Sequence, residues 1–343
     1  MLHETTCQKF AVTLLALIAT VTAARSQDEF KGRTIQIYTG FGTGGAYDGY
    51  ARLLARHMGR QLPGQPGFVV KGMPGAASVR MMNYLYNVAK KDGTEIGIPS
   101  QGIAQAQAFK EPGIEFDVRK MHWLGSTHNT VNVAFSFHTS PIKKIEDVFE
   151  KELVVGATGP GSATSFFPRL MNALLGTKFK IVEGYSGQDL QLAIERGEVA
   201  GRAAYNWSNL RDQTDWVQTK KANLLVQMGS KRAPDLPNLP LMHELAKDKL
   251  AREVLKLVSL APSVGRPFVA PPGLPGSRVA LLRNAFDATM KDAAFLADAS
   301  KSRFPIEPTS GAELSQLVKE IVEAPSDVID YAKNALPKRK KKN

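Results

Sequence analysis

The sequence predicts an α/β protein of two successive units, each a parallel-type sheet flanked by helices. Three observations carry that prediction. Short β-rich runs alternate with segments of helical periodicity. The alternation restarts near residue 132. Gly-rich turns sit where strands hand over to helices, as crossover connections require. At 343 residues the chain is long enough for about two domains, each with its own core.

Thr34–Tyr38 alternates and reads as the first strand. A turn over Gly40–Gly45 leads into a helix over Asp48–Met58, with Tyr50, Leu53, Leu54, His57 and Met58 at helical spacing. Pro63–Gly67 breaks the chain before a second strand, Phe68–Val70. Pro74–Ser78 turns into a helix over Val79–Ala89, and Asp92-Gly93 turns into a third strand, Glu95–Ile98. The second unit opens with a strand over Asn132–Ser136 and a short helix over Ile145–Glu150. A strand over Leu153–Gly156, a helix over Thr164–Leu175 and a strand over Lys180–Val182 follow. A helix over Leu190–Arg196 stops at Gly197, and Leu224–Met228 is another strand. Pro234–Pro240 is irregular, and helical periodicity returns at Arg278–Ala294 and Gly311–Glu323. The chain is expected to cross twice between lobes, which leaves a cleft. The expected division is 27–126 and 236–337 for the first lobe, 127–235 for the second, with 1–26 and 338–343 outside both.

Hydrophobic residues at 43% and charged residues at 22% exclude a disordered chain, a collagen-like chain and a polytopic membrane protein. Five of the twelve excess positive charges are Lys338, Arg339, Lys340, Lys341 and Lys342. That run has no interleaved aromatics, so it reads as a solvated tail and no nucleic-acid partner is expected. Cys7 is the single cysteine, which excludes an internal disulfide and a cysteine-based metal site. Phe10–Ala24 is apolar and uncharged but falls short of the roughly 20 residues that span a bilayer. The stretch ends in small residues Thr22, Ala23 and Ala24, and polar Arg25–Asp28 follow. Residues 1–26 read as a secretory signal peptide, so the mature chain is expected to be exported and soluble.

Three turns share one chemistry: Gly42-Thr43-Gly44-Gly45, Gly159-Pro160-Gly161-Ser162 and Tyr185-Ser186-Gly187. Glycines admit close backbone approach, and the first-turn amides of a following helix favour an anion. Ligands gather at the carboxyl ends of parallel strands. Gly40–Gly45 also satisfies G-x-G-x-x-G, but the following strand ends in basic Lys71 and the chain carries an export signal, which opposes a dinucleotide site. Gly184-Tyr185-Ser186-Gly187-Gln188 misses the nucleophile-elbow pattern at its last residue. None of the six histidines shows metal spacing. His57 is expected at a core edge, and His128, near a crossing, is a candidate for the cleft.

Taken in order, these segments resemble the tricarboxylate-transporter substrate-binding family, the Bug or TctC-like extracytoplasmic receptors. The resemblance rests on Thr39–Asp48 with Ala51-Arg52-Leu53-Leu54-Ala55, on Met73-Pro74-Gly75-Ala76 and on Asp92-Gly93-Thr94. In the second half it rests on Thr158–Ser162, Gly184–Gly187, Gly197-Glu198-Val199, Ser230-Lys231-Arg232 and Pro234–Pro240. It covers about residues 31–325.

The resemblance implies a monomeric two-lobe periplasmic-binding-protein-like (Venus flytrap) fold. Such a receptor closes on a small organic carboxylate, a di- or tricarboxylate or an aromatic acid. It delivers the ligand to tripartite-type membrane transporter subunits, with no cofactor, metal or catalytic residue. The implied ligand contacts in the first lobe are Phe41, Gly42, Thr43, Gly44, Gly45, Tyr47, Asp48, Ser100 and Gln101. In the second they are Gly159, Gly161, Ser162, Thr164, Tyr185, Ser186, Gly187, Arg202 and Tyr205. Asp48 is expected to hold the loop or cap the helix, not to grip an anion. Two departures stand out. Gly75-Ala76-Ala77-Ser78 replaces Gly-Ala-Gly-Gly, and Ala200–Trp207 replaces an acidic stretch. The second makes Arg202 a candidate for a second carboxylate, held bidentately, and offers Tyr47, Tyr205 and Trp207 as an aromatic wall. The alternative is an exported α/β enzyme acting on a small carboxylate, with a base and a nucleophile in contact across the cleft.

Overall fold

The computed structural model describes residues 29–335 apart from 130, 160, 161 and 186. The expected signal peptide with Cys7, the basic tail, Gly161 and Ser186 lie outside the described residues. The elements run β1 (Thr34–Thr39), α1 (Ala46–His57), β2 (Gly67–Gly72), α2 (Val79–Asn87), β3 (Glu95–Ile98), β4 (His122–Ser126) and β5 (Asn132–Phe137). Then come β6 (Leu153–Ala157), α3 (Ala163–Leu175), β7 (Phe179–Glu183), α4 (Gly187–Glu195), β8 (Gly201–Asn206), α5 (Trp207–Gln213) and β9 (Ala222–Met228). The last part holds α6 (Lys249–Val258), β10 (Pro267–Ala270), α7 (Gly276–Met290), α8 (Ala293–Lys301), β11 (Thr309–Ser310), α9 (Gly311–Val322) and α10 (Ser326–Ala335). Short helical turns intervene.

Two sheets form, in the orders β11-β4-β10-β3-β1-β2 and β7-β6-β8-β5-β9. The expected parallel pairing holds for β2-β1-β3 and β7-β6-β8. The sheets are nevertheless mixed. β10 runs antiparallel to both β3 and β4, and β5 runs antiparallel to both β8 and β9. These two strands are where the chain enters a sheet from the other one. Such a strand does not need the crossover helix that parallel neighbours demand.

The strands that pattern reading passes over are β4, β8, β10 and the two-residue β11. β10 is a four-residue run that opens on Pro267 and is buried along its whole length, so no alternation marks it. β4 is buried at four of its five positions. β8 is bulged: Ala204 has φ +55° and its register against β5 shifts between Val133 and Phe135. By contrast β1 alternates as expected, with Ile35 and Ile37 fully buried.

α1 buries Tyr50, Leu53, Leu54 and His57 on one face. His57 sits at the edge of that face, with Nε2 2.8 Å from Asp298 on α8 and Nδ1 2.8 Å from Arg60. One apolar cluster fills the first lobe around Ile35, Leu54 and Phe286, and another fills the second around Phe135, Leu190 and Trp216. The largest joins Met81 and Trp123 to Val155 and Phe167 through Leu255 of α6 and Val328 of α10. No described helix is long and apolar enough to cross a membrane.

Candidate functional site

Loops at the carboxyl ends of β1, β3 and β6 face one another across a cleft of about 1110 Å³, joined by residues of β8 and by Arg266 just before β10. This is where α/β sheets collect ligands.

The β1 loop is held open by a specific bond set. Gly40 must be glycine, because a Cβ there would lie 2.1 Å from Ser78 Oγ. Gly44 takes φ +84° and donates its N–H to Asp48 Oδ2 at 3.0 Å. Arg52 Nε donates to the same oxygen at 2.8 Å. Burial alone would raise the Asp48 pKa, but Arg52 and the Gly44 amide outweigh it and hold the carboxyl below its usual range. Asp48 thus holds the loop. Phe41 and Tyr47 stack with centroids 4.3 Å apart. The Tyr47 hydroxyl accepts from Gln101 N–H at 3.0 Å and from Arg266 Nη1 at 3.3 Å. Both lone pairs are then engaged, which leaves its O–H as a donor.

The β6 loop is braced internally. Ser162 Oγ donates to Gly159 O at 2.7 Å and Ser165 Oγ to the same carbonyl at 2.8 Å. Thr158 N–H donates to Thr164 Oγ1 at 3.1 Å. With these hydroxyls committed and the Ser165 and Phe166 amides bonded to the Ser162 carbonyl, the Ala163 and Thr164 amides at the start of α3 are the donors the loop presents to the cleft.

Two arginines reach the cleft. Arg202 on β8 lies over the Tyr205 ring at 4.0 Å, and its Nε is buried without a hydrogen-bond partner. Burial pushes the guanidinium down to about 10, with Tyr205 acting the other way, so it remains charged at neutral pH. Arg266 lies over the Tyr47 ring at 4.5 Å, and its Nε is likewise buried without a partner. Its Nη1 donates to neutral oxygens only, of Tyr47, Gln101 and Gly265. Neither has an ion-pair partner among the described residues.

Of the expected contacts, Phe41, Thr43, Gly44, Gly45, Tyr47, Asp48, Ser100, Gln101, Gly159, Ser162, Thr164, Arg202 and Tyr205 line this cleft. Gly42 does not, although both its neighbours do. Tyr185 does not either, because its ring packs against the second-lobe core. Trp207, expected in an aromatic wall, does not line the cleft; it is 4% exposed and gives Nε1 to Asp235 at 2.9 Å. The aromatic groups on the wall are Phe41, Tyr47, Tyr50, Tyr205 and Phe304. Arg266, Asn132, Asn206 and Phe304 escaped sequence reading. Arg266 is a lone arginine before a proline, with no local signal.

His128 does not line the cleft. It is 1% exposed in the first crossing, with Nε2 3.1 Å from Ser208 Oγ. Among the described residues no acid is hydrogen-bonded to its ring, so this Ser–His pair lacks there the orienting acid of a triad. Burial first, and Arg266 second, pushes its pKa down to about 4.

No protein-family model matches the chain. No curated protein matches it either. Solved structures do. The periplasmic binding protein BugD is 19% identical with a TM-score of 0.64, over 89% of this chain and 98% of its own. A TctC solute-binding protein from Polaromonas is 13% identical with a TM-score of 0.63, over 89% and 98%. MatC from Rhodopseudomonas palustris, solved with malate, is 21% identical with a TM-score of 0.64, over 88% and 100%. Another R. palustris protein, solved with adipate, is 17% identical with a TM-score of 0.63, over 88% and 97%. The fold is therefore the two-lobe fold of periplasmic binding proteins. Solved proteins that share it over most of their length include a TctC solute-binding protein and BugD.

Proposed function

We propose that this chain is a periplasmic receptor that captures a small organic carboxylate between its lobes and presents it to a membrane transporter of the tripartite type. The observation that carries this is the cleft wall. Two arginines without acidic partners, the Tyr47 hydroxyl and the Ala163 and Thr164 amides of α3 converge on one space. Such a set binds and orients an anion. The malate and adipate in two structural neighbours support the same ligand class. Export by cleavage within 23–26 is part of the proposal, as is the division into lobes at 127 and 236. Sheet membership supports that division, because β1–β4, β10 and β11 share one sheet and β5–β9 the other.

The experiment is a thermal-shift screen of mono- and dicarboxylates against amino acids and sugars. At least one carboxylate stabilises the protein, by an amount that grows with its concentration over Kd. Stabilisation by an amino acid or a sugar, with none by any acid, overturns the reading. Mass spectrometry of the exported chain checks the cleavage.

A further inference from the structure

We propose that the cleft closes fully only on a dianion, with Arg266 of the first sheet's side and Arg202 of the second's each taking one anionic group. This rests on the receptor reading above and adds a selection rule to it.

The two guanidinium groups line one cleft and come from different sheets. Each lies on a tyrosine ring, Arg266 on Tyr47 and Arg202 on Tyr205, so its plane is set before any ligand arrives. Each has a buried Nε with no acceptor. Asp48 is the acidic side chain among the described wall residues, and Arg52 and the Gly44 amide already hold it. The wall therefore carries two positive charges that no described residue compensates.

Closure removes water from this space. A buried charge left without a counter-charge is expensive, and two like charges oppose approach of the lobes that carry them. A dianion compensates both arginines at once. A monoanion compensates one and leaves the other to be buried bare. Selection between them thus arises at closure, not at first contact, and the edges of two pre-oriented guanidinium planes favour planar oxyanions such as carboxylates.

The test uses matched pairs on the mature chain: succinate, glutarate and adipate against their monomethyl esters. Calorimetry reads affinity and small-angle scattering reads contraction. The best diacid binds about ten- to a hundredfold more tightly than its ester. It alone shortens the radius of gyration. Arg202→Gln and Arg266→Gln each bring the diacid-to-ester ratio to within about threefold, and Arg202→Lys keeps part of it. Arg196→Gln, at an exposed site in the second lobe, leaves the ratio unchanged.

A folded Arg202→Gln protein with the wild-type ratio overturns the clamp and leaves the receptor reading standing. So does an ester that contracts the wild-type chain as fully as its diacid. Failure of every acid to bind folded wild-type protein is a different result and removes the receptor reading beneath it. Contraction is read on wild-type protein, so the decision survives a variant that does not fold.

Discussion

The guanidinium carbon of Arg202 lies 4.0 Å from the centre of the Tyr205 ring, although three positions separate the two residues along β8. In a regular strand, residues an odd number apart point to opposite faces. The bulge resolves the conflict. Ala204 at φ +55° and the register shift opposite it turn the strand, and both side chains reach the cleft.

That geometry makes Tyr205 a platform. Tyr205→Leu weakens carboxylate binding about three- to thirtyfold, the range of a desolvated cation–π contact. Tyr205→Phe keeps most of the affinity. Calorimetry on both variants checks this, and equal losses would show that the hydroxyl matters instead of the ring.

Asp48→Ala removes the acceptor that holds Gly44 and Arg52. The expected cost is about 1–3 kcal/mol of stability, with loss of ligand binding as the loop loosens. Because the folded carboxyl titrates below the unfolded value of 3.8, its contribution is fully present above pH 3.8. It is lost as pH falls through the lower folded value. Urea titrations at pH 7 and pH 3 read this as a wild-type-to-variant gap that narrows on acidification.

Ala76, Ala77 and Ser78 all have positive φ, at 44°, 50° and 82°. A side chain in this region costs about 1–2 kcal/mol. Ala77→Gly therefore stabilises the protein by about 1 kcal/mol, seen as a higher urea midpoint. Ser78→Gly gains less, because Ser78 Oγ accepts the Ser100 amide at 3.0 Å and that bond is lost.

His128 is held neutral in the fold, with a pKa of about 4 against 6.5 unfolded. Between those values the unfolded chain binds the extra proton, so stability rises with pH. The contribution is intact above pH 6.5 and declines toward pH 4, by up to about 3 kcal/mol. His128→Gln flattens the stability profile across that window. An unchanged slope would place the acid sensitivity elsewhere.

The elements legible in the sequence are those whose own pattern carries the information. β1 alternates because one face is sealed, and α1 shows its periodicity because only one face is buried. The β1 turn is legible through Gly40, where Ser78 excludes any side chain. β10 is not legible, because it is a four-residue run that opens on Pro267, and a proline argues against a strand, whereas the equally buried β3 and β5 carry none. β8 is not, because a bulge breaks it. Arg266 is the instructive case. Its partners Tyr47 and Gln101 stand 219 and 165 residues away, and a lone arginine carries no sign of which distant tyrosine it will lie on. Trp207 fails in the opposite direction, since an aromatic at the start of α5 signals burial but not which side of that helix receives it.

The apolar cluster that runs from Met81 and Trp123 through Leu255 and Val328 to Val155 and Phe167 has a thermodynamic consequence. The lobes share interior, so neither melts with the other left intact. Scanning calorimetry gives a single endotherm whose calorimetric and van't Hoff enthalpies agree. Deleting α10, which holds Val328 and Ala332 in that cluster, lowers the midpoint of the whole transition instead of splitting it in two.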